Sequence, residues 1–346
     1  MAAFISFQPN KFVNSSLYTG NSSSAEIPVT GVGFQPDLVW AKNRDATYDH
    51  FLFDSVRGAT KYVKSNSTAA EATNAQTLKS FDSDGYTMGT DSDVNQSTSG
   101  FASWSWKAGT STGLDLTAGT ITPSAYSIST TAGISILQYT GTGTASQTIA
   151  HGLGAVPKFM IFKRTDGTSQ WPVYNVGTGN TKCLFLESSA ATDTSTTYFQ
   201  DTTPTDTLIS IGSGGDLNTA ASTNICYCFA EKTGFSHFGW YYGQADMDGP
   251  MIFTGFRPAV LIVKIGAISA WVIQDDKRLG YNPTNNYLIP STSAVEGTNF
   301  GVDFCANGFK IRDDDSDVNH NGGTMTYAAF AEWPLVSSND TPGVAR

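Results

Sequence analysis

The sequence predicts an all-β protein of three tandem antiparallel β-sandwich repeats, jelly-roll-like and of about 100 residues each. Three observations carry that expectation. Charged residues are only 14% of the 346, and Ser, Thr and 34 glycines take their place, which is the composition of strands and turns. A Gly-x-x-Pro-x5-Lys signature occurs three times, as Gly33/Pro36/Lys42, Gly154/Pro157/Lys163 and Gly255/Pro258/Lys264. No window holds a capped apolar i, i+3, i+4, i+7 stripe over three turns.

The first repeat takes residues 1–108. Tyr18 and Gly20 open it, and Leu38-Val39-Trp40 inside the signature reads as a strand buried on both faces. Residues 67–76 read as a short helical piece, Asp84-Gly85-Tyr86 as a hairpin turn, and Trp104-Ser105-Trp106-Lys107 closes the unit. Residues 109–132 are rich in Gly, Ser, Thr and Pro, with no counterpart between the later repeats, and read as a linker. The second repeat, 133–233, begins with Tyr139/Gly141, carries Phe159-Met160-Ile161-Phe162 in its signature and ends with Phe229-Ala230-Glu231. The third, 234–336, begins with Tyr241/Gly243, carries Val260-Leu261-Ile262-Val263, turns at Asn307-Gly308-Phe309 and ends with Phe330-Ala331-Glu332. The spacing supports the alignment: Tyr to Pro is 18, 18 and 17 residues, and Pro to the closing Glu is 74 in both later copies. A Ser/Ala stretch ending in an acid recurs at 67–71, 189–193 and 293–296. Repeats two and three abut near Phe235, which implies a stiff junction, and 337–346 read as a polar tail. Antiparallel strands with one wet face hide their edges by closing into sandwiches.

A net charge of −10 removes the basic footprint of a nucleic-acid binder. The first residues lack the basic and apolar regions of a signal peptide, and the apolar stretch 259–273, broken by Lys264 and Gly266, is shorter than a membrane span. A soluble protein without export signal or membrane insertion is expected. Cys183, Cys226, Cys228 and Cys305 show no zinc spacing and read as small buried hydrophobes of a reducing compartment.

Catalytic patterns are thin. Gly109-Thr110-Ser111-Thr112-Gly113 matches a nucleophile elbow, but nothing helical follows it. Four histidines show no metal spacing, and Glu231 and Glu332, at equivalent repeat positions, read as structural. No enzyme and no cofactor are expected. The acidic run 313–317 offers Asp313, Asp315 and Asp317 as a weak calcium site, or more simply a solvated turn, because Val318 and Thr324 stand where a calcium loop needs Gly and Glu. Aromatics remain as binding candidates. His50, Trp171 and Trp271 share one repeat position, 14, 14 and 13 residues past the signature proline, and Trp240, Tyr241 and Tyr242 form a second cluster. Either set could stack on a sugar face or fill a core.

The segments Gly33-Phe34-Gln35-Pro36-Asp37-Leu38-Val39-Trp40-Ala41-Lys42-Asn43-Arg44, Phe53-Asp54-Ser55-Val56-Arg57-Gly58, Phe81-Asp82-Ser83-Asp84-Gly85 and Trp104-Ser105-Trp106-Lys107-Ala108-Gly109 resemble a repeated domain of unknown function. It occurs in tail-fibre-like virion proteins of marine bacteriophages. The ending from Ala329-Phe330-Ala331-Glu332-Trp333-Pro334 to Arg346 resembles the same proteins. The resemblance implies a virion or appendage protein, assembled in the bacterial cytoplasm; the first expectation built on it is a surface tail fibre or appendage that binds a host glycan. Its partners would be other virion proteins in a homo-oligomer, a trimer by the habit of phage appendages, although three repeats could mimic that symmetry in one chain. The repeats begin near Phe12, with no heptad stretch before them. A purely structural capsid or neck decoration (head-fibre) is the alternative, and a glycan depolymerase a minor one.

Overall fold

The computed structural model describes residues 5, 7–21 and 25–332. The tail 337–346 and the resemblance at Trp333 and Pro334 therefore lie outside the described residues.

Repeat one comprises β1 (Val13–Thr19), β2 (Ile27–Thr30), β3 (Leu38–Asn43), β4 (Phe51–Asp54), β5 (Lys61–Lys64), β6 (Ala72–Thr73), β7 (Leu78–Asp82), β8 (Gly85–Met88), the helical turn α1 (Ser92–Asn95) and β9 (Gly100–Trp106). Repeat two follows with β10 (Ala125–Ser129), β11 (Ile134–Thr140), β12 (Gln147–Ala150), β13 (Pro157–Arg164), β14 (Pro172–Asn175), β15 (Lys182–Phe185), β16 (Asp193–Thr194), α2 (Thr196–Phe199), β17 (Leu208–Ile211), α3 (Gly215–Asn218) and β18 (Thr223–Ala230). Repeat three holds β19 (Ser236–Tyr242), β20 (Met251–Phe253), β21 (Val260–Ile265), β22 (Val272–Asp275), β23 (Val302–Cys305), β24 (Gly308–Ile311), α4 (Ser316–Asn319) and β25 (Thr324–Phe330).

Each repeat is a large antiparallel sheet on a small one, in one shared order. The large sheets run β1-β9-β3-β4-β5-β6, β10-β11-β18-β13-β14-β15-β16 and β19-β25-β21-β22, and the small ones β2-β8-β7, β12-β17 and β20-β24-β23. The signature glycines have positive φ, +87°, +62° and +83° at Gly33, Gly154 and Gly255, which is why glycine stands at that turn in every copy. Tyr18, Tyr139 and Tyr241 donate their hydroxyls to Val94, Leu217 and Val318 carbonyls of the helical turns, at 2.9, 2.6 and 2.6 Å. In each turn a buried asparagine (Asn95, Asn218, Asn319) accepts one backbone N–H and donates to two carbonyls.

Every large sheet has one face in its own sandwich core and the other in a core common to all three repeats. The common core gathers Trp40, Trp104 and Trp106 from the first repeat, Phe159, Trp171 and Phe229 from the second, and Phe238, Trp271 and Phe330 from the third. Hence β3 and β21 are buried at all six positions each. The expected wet outer face is absent from these strands, because what it faces is the next repeat. A buried Trp removes about 150–250 Å² from water, so each ring in this core contributes about 4–6 kcal/mol of transfer free energy.

The seams are cyclic. The residue two past the signature lysine accepts a backbone N–H from the preceding repeat at all three: Thr165 from Glu71 (2.8 Å), Gly266 from Thr192 (2.9 Å), and Arg44 from Glu296 (2.8 Å). The donors sit at or beside the recurring Ser/Ala-acid stretches, which are thus latches between repeats. Residues 67–76, expected as helix, carry β6 and lie extended against the next repeat, where the Glu71 N–H donates to the Thr165 carbonyl and the Ser67 and Thr68 carbonyls accept from Trp171, Lys163 and Ser169. The expected linker 109–132 is folded too. It contributes β10, pairs Thr110 with Ile128 and buries Leu116, Ile121 and Ile128 in the core of repeat two.

Candidate functional site

Repeat three leaves β19 at the edge of its large sheet. Three consecutive aromatics end that strand, and strand alternation divides them. Tyr241 is 6% exposed and packs on Phe309 and Tyr327 in the sandwich core, whereas Trp240 and Tyr242 are 52% and 64% exposed. They lie on the face that begins at Phe238 in the common core, so they stand where that core opens to solvent.

Beside them, reached through Gly177 and Thr324, lies a groove between repeats two and three of about 310 Å³, at the lower end of the range for ligand sites, whose lining includes neither aromatic. Its lining includes Gly177, Thr178, Lys182 and Thr192 from repeat two, and His320 and Thr324 from repeat three. Tyr242 is paired across the strands with Thr324, and Trp240 with Thr326. The Gly177 turn leans on Trp240: a Cβ on Gly177 would lie 2.9 Å from the Trp240 Cβ and 3.0 Å from the Gly239 carbonyl. Asn175 holds this turn, accepting from the Gly177 N–H at 2.7 Å and donating across the seam to the Tyr327 carbonyl at 3.2 Å. In the same position the other repeats place Asp54 and Asp275, each paired with a buried arginine, Arg57 and Arg278. Behind the lining residues Ile265 and Ala267, Lys264 is buried and donates to the Ala190, Ile265 and Ala267 carbonyls at 2.9–3.2 Å. Burial pulls its ammonium pKa down to about 8, as it does for Lys42 and Lys163.

The other aromatic set is structural. His50, Trp171 and Trp271 are 0–2% exposed at the seams, so no ring face is open to a sugar. Trp171 donates to the Ser67 carbonyl (2.9 Å) and Trp271 to the Phe185 carbonyl (2.7 Å), each in the preceding repeat. His50 accepts the Trp40 indole N–H at 3.0 Å, and burial first, then the Lys42 and Arg278 charges, hold its pKa well below the usual value.

The acidic run spends its carboxylates on the backbone. Asp315 caps α4 by accepting from the Asp317 N–H, Asp313 accepts from Gly301 and Asp315, and Asp317 accepts from Ala270 and from the Ser269 hydroxyl. Among the described residues no group of His, Cys, Asp or Glu is placed to hold a metal. Ser111 of the Gly109–Gly113 pattern is exposed in a segment that enters a bridge to Ile128, with no helix after it. A second cavity of about 490 Å³ borders Asp37 and Ser127, but the Asp37 carboxylate is used by the Ser55 and Ser127 hydroxyls and the Ala108 N–H, so it acts as a joint. Among the described residues no helix is long and apolar enough to cross a membrane, and the four cysteines are free.

The sequence singles out Trp240 and Tyr242 as candidates but not Gly177, Thr178, Lys182 or His320, which come from different repeats and meet only through the seam. The available signal was a departure: repeat two has Asn175-Val176-Gly177-Thr178 where repeat one has Asp54-Ser55-Val56-Arg57.

The family described as a domain of unknown function (DUF7483) matches residues 8–334. No curated protein and no solved structure matches the chain.

Proposed function

The chain belongs to the DUF7483 family, whose single domain spans all three repeats, and on that premise we propose that it is a non-enzymatic virion-surface protein of a bacteriophage that binds a host glycan through the groove between repeats two and three. One observation carries the binding role: Trp240 and Tyr242 stand exposed on an edge strand beside a groove rimmed with threonine hydroxyls. A flat ring next to hydroxyl partners is the chemistry that holds a sugar ring. The groove lining contains no Asp or Glu, so it lacks the paired carboxylates of glycan hydrolysis. The virion context rests on the resemblance of the repeat segments to tail-fibre-like phage proteins, with assembly in the bacterial cytoplasm beside other virion proteins.

The three-fold arrangement that a homotrimer would supply is built within one chain, so further assembly would join such units. The aromatic pair occurs once per chain, since Leu17/Thr19 and Gln138/Thr140 take its places in the other repeats. Multivalency therefore comes from copies on the particle, which raises weak binding by about two to four orders of magnitude.

A structural decoration is the second reading. Phe253 and Met247, 67% and 60% exposed on the small-sheet side of repeat three, would serve as apolar anchors for another virion subunit. Cell binding separates the two. Purified protein should adhere to host cells, soluble host surface polysaccharide should compete, and Trp240→Ala with Tyr242→Ala should abolish adhesion. Adhesion that survives both substitutions would refute the groove, and no adhesion together with tight binding to stripped particles would favour decoration.

A further inference from the structure

The groove differs from the rest of the surface in charge. The chain carries −10, yet the ionisable side chains lining this groove are Lys182 and His320. Both are exposed, and among the described residues Lys182 makes no ion pair. Its nearest acidic neighbour in the sheet does not neutralise it. Lys182 is paired with Thr194 and Cys183 with Asp193, and paired residues share a face. Cys183 is buried in the core of repeat two, so Asp193 takes the Cys183 side and Lys182 the other. Across the groove, Asp317 of α4 is occupied by the Ala270 N–H and the Ser269 hydroxyl. An exposed ammonium with no acidic partner among the described residues, beside an aromatic platform and the Thr178, Thr192 and Thr324 hydroxyls, is complementary to a sugar that carries an anionic group.

We propose that this groove selects an anionic saccharide, with the ring against Trp240 and the carboxylate or sulfate on Lys182. The inference rests on the glycan-binding reading and adds the charge of the ligand. Specificity follows from the surroundings, because a net acidic protein repels anions everywhere except where a local cation compensates.

The test is a glycan array of neutral, uronate-containing and sulfated saccharides, probed with the full chain and with Lys182→Ala, Trp240→Ala and Lys79→Ala, the last on β7 in the small sheet of repeat one. Lys182 is exposed, so its truncation should leave the melting temperature unchanged. Wild type should bind the anionic sugars, with uronate against sulfate identifying the group. Lys182→Ala should weaken binding at least about tenfold, the loss of one charge-assisted hydrogen bond. It should also reduce the salt dependence, while Trp240→Ala abolishes binding and Lys79→Ala matches wild type. Binding confined to neutral sugars, or equal binding by Lys182→Ala, would overturn the charge inference and leave the glycan reading standing. No binding to any sugar would overturn both.

Discussion

Truncating Trp106 to alanine tests whether the three repeats are one cooperative body. The indole is 2% exposed, and its centroid lies 5.8 Å from Phe330 of repeat three and 6.4 Å from Phe229 of repeat two. Its N–H has no partner among the described residues, so the substitution removes packing and no hydrogen bond seen there. Loss of a buried Trp costs about 3–5 kcal/mol. With an unfolding entropy of about 2.1 cal/mol/K per residue over this length, the chain gains about 0.7 kcal/mol/K, so the melting temperature should fall by about 4–7 °C. Calorimetry should show a single transition that moves as a whole. Phe53→Ala, in the separate core of repeat one, should move the same transition. In a double-mutant cycle, Trp106 and Phe330 should couple by about 0.5–1.5 kcal/mol. Several transitions, of which Trp106→Ala shifts one, would refute the common core, as would zero coupling to Phe330.

Three further outcomes are expected. Gly177→Val should push the turn off Trp240 at a cost of about 1–3 kcal/mol, seen as a lowered urea midpoint and a changed Trp240 fluorescence; an unchanged midpoint would contradict the close approach. Burial lowers Lys42, Lys163 and Lys264 to about 8 from 10.5, so the unfolded chain binds more protons between those values and stability should rise from pH 8 towards 10. Urea titrations should show this slope, and Lys163→Met should shallow it. His50 is held neutral, with a pKa well below 6.5, so stability should fall as the pH drops below about 6.5, where the unfolded histidine takes up a proton. His50→Gln, which keeps an acceptor for Trp40, should reduce that acid loss, and the remainder belongs in part to His151, also lowered by burial.

Much of the local structure was legible in the order of residues, with 67–76, which read as helix and lie extended, as the exception. Hairpins form at Asp84-Gly85 and Asn307-Gly308, the signature glycines turn with positive φ, and the apolar runs at 38–40 and 260–263 are strands dry on both sides. Turn chemistry and residue alternation act over a few residues, so they are written in the order of the chain. What each dry face touches was settled by how the three repeats pack. Trp171 and Trp240 look alike in a sequence, and one is sealed under Ser67 while the other stands in water. Burial of a side chain depends on contacts between residues about a hundred positions apart. The latches, the common core and the groove all arise from such contacts, made when three sheets close in a ring.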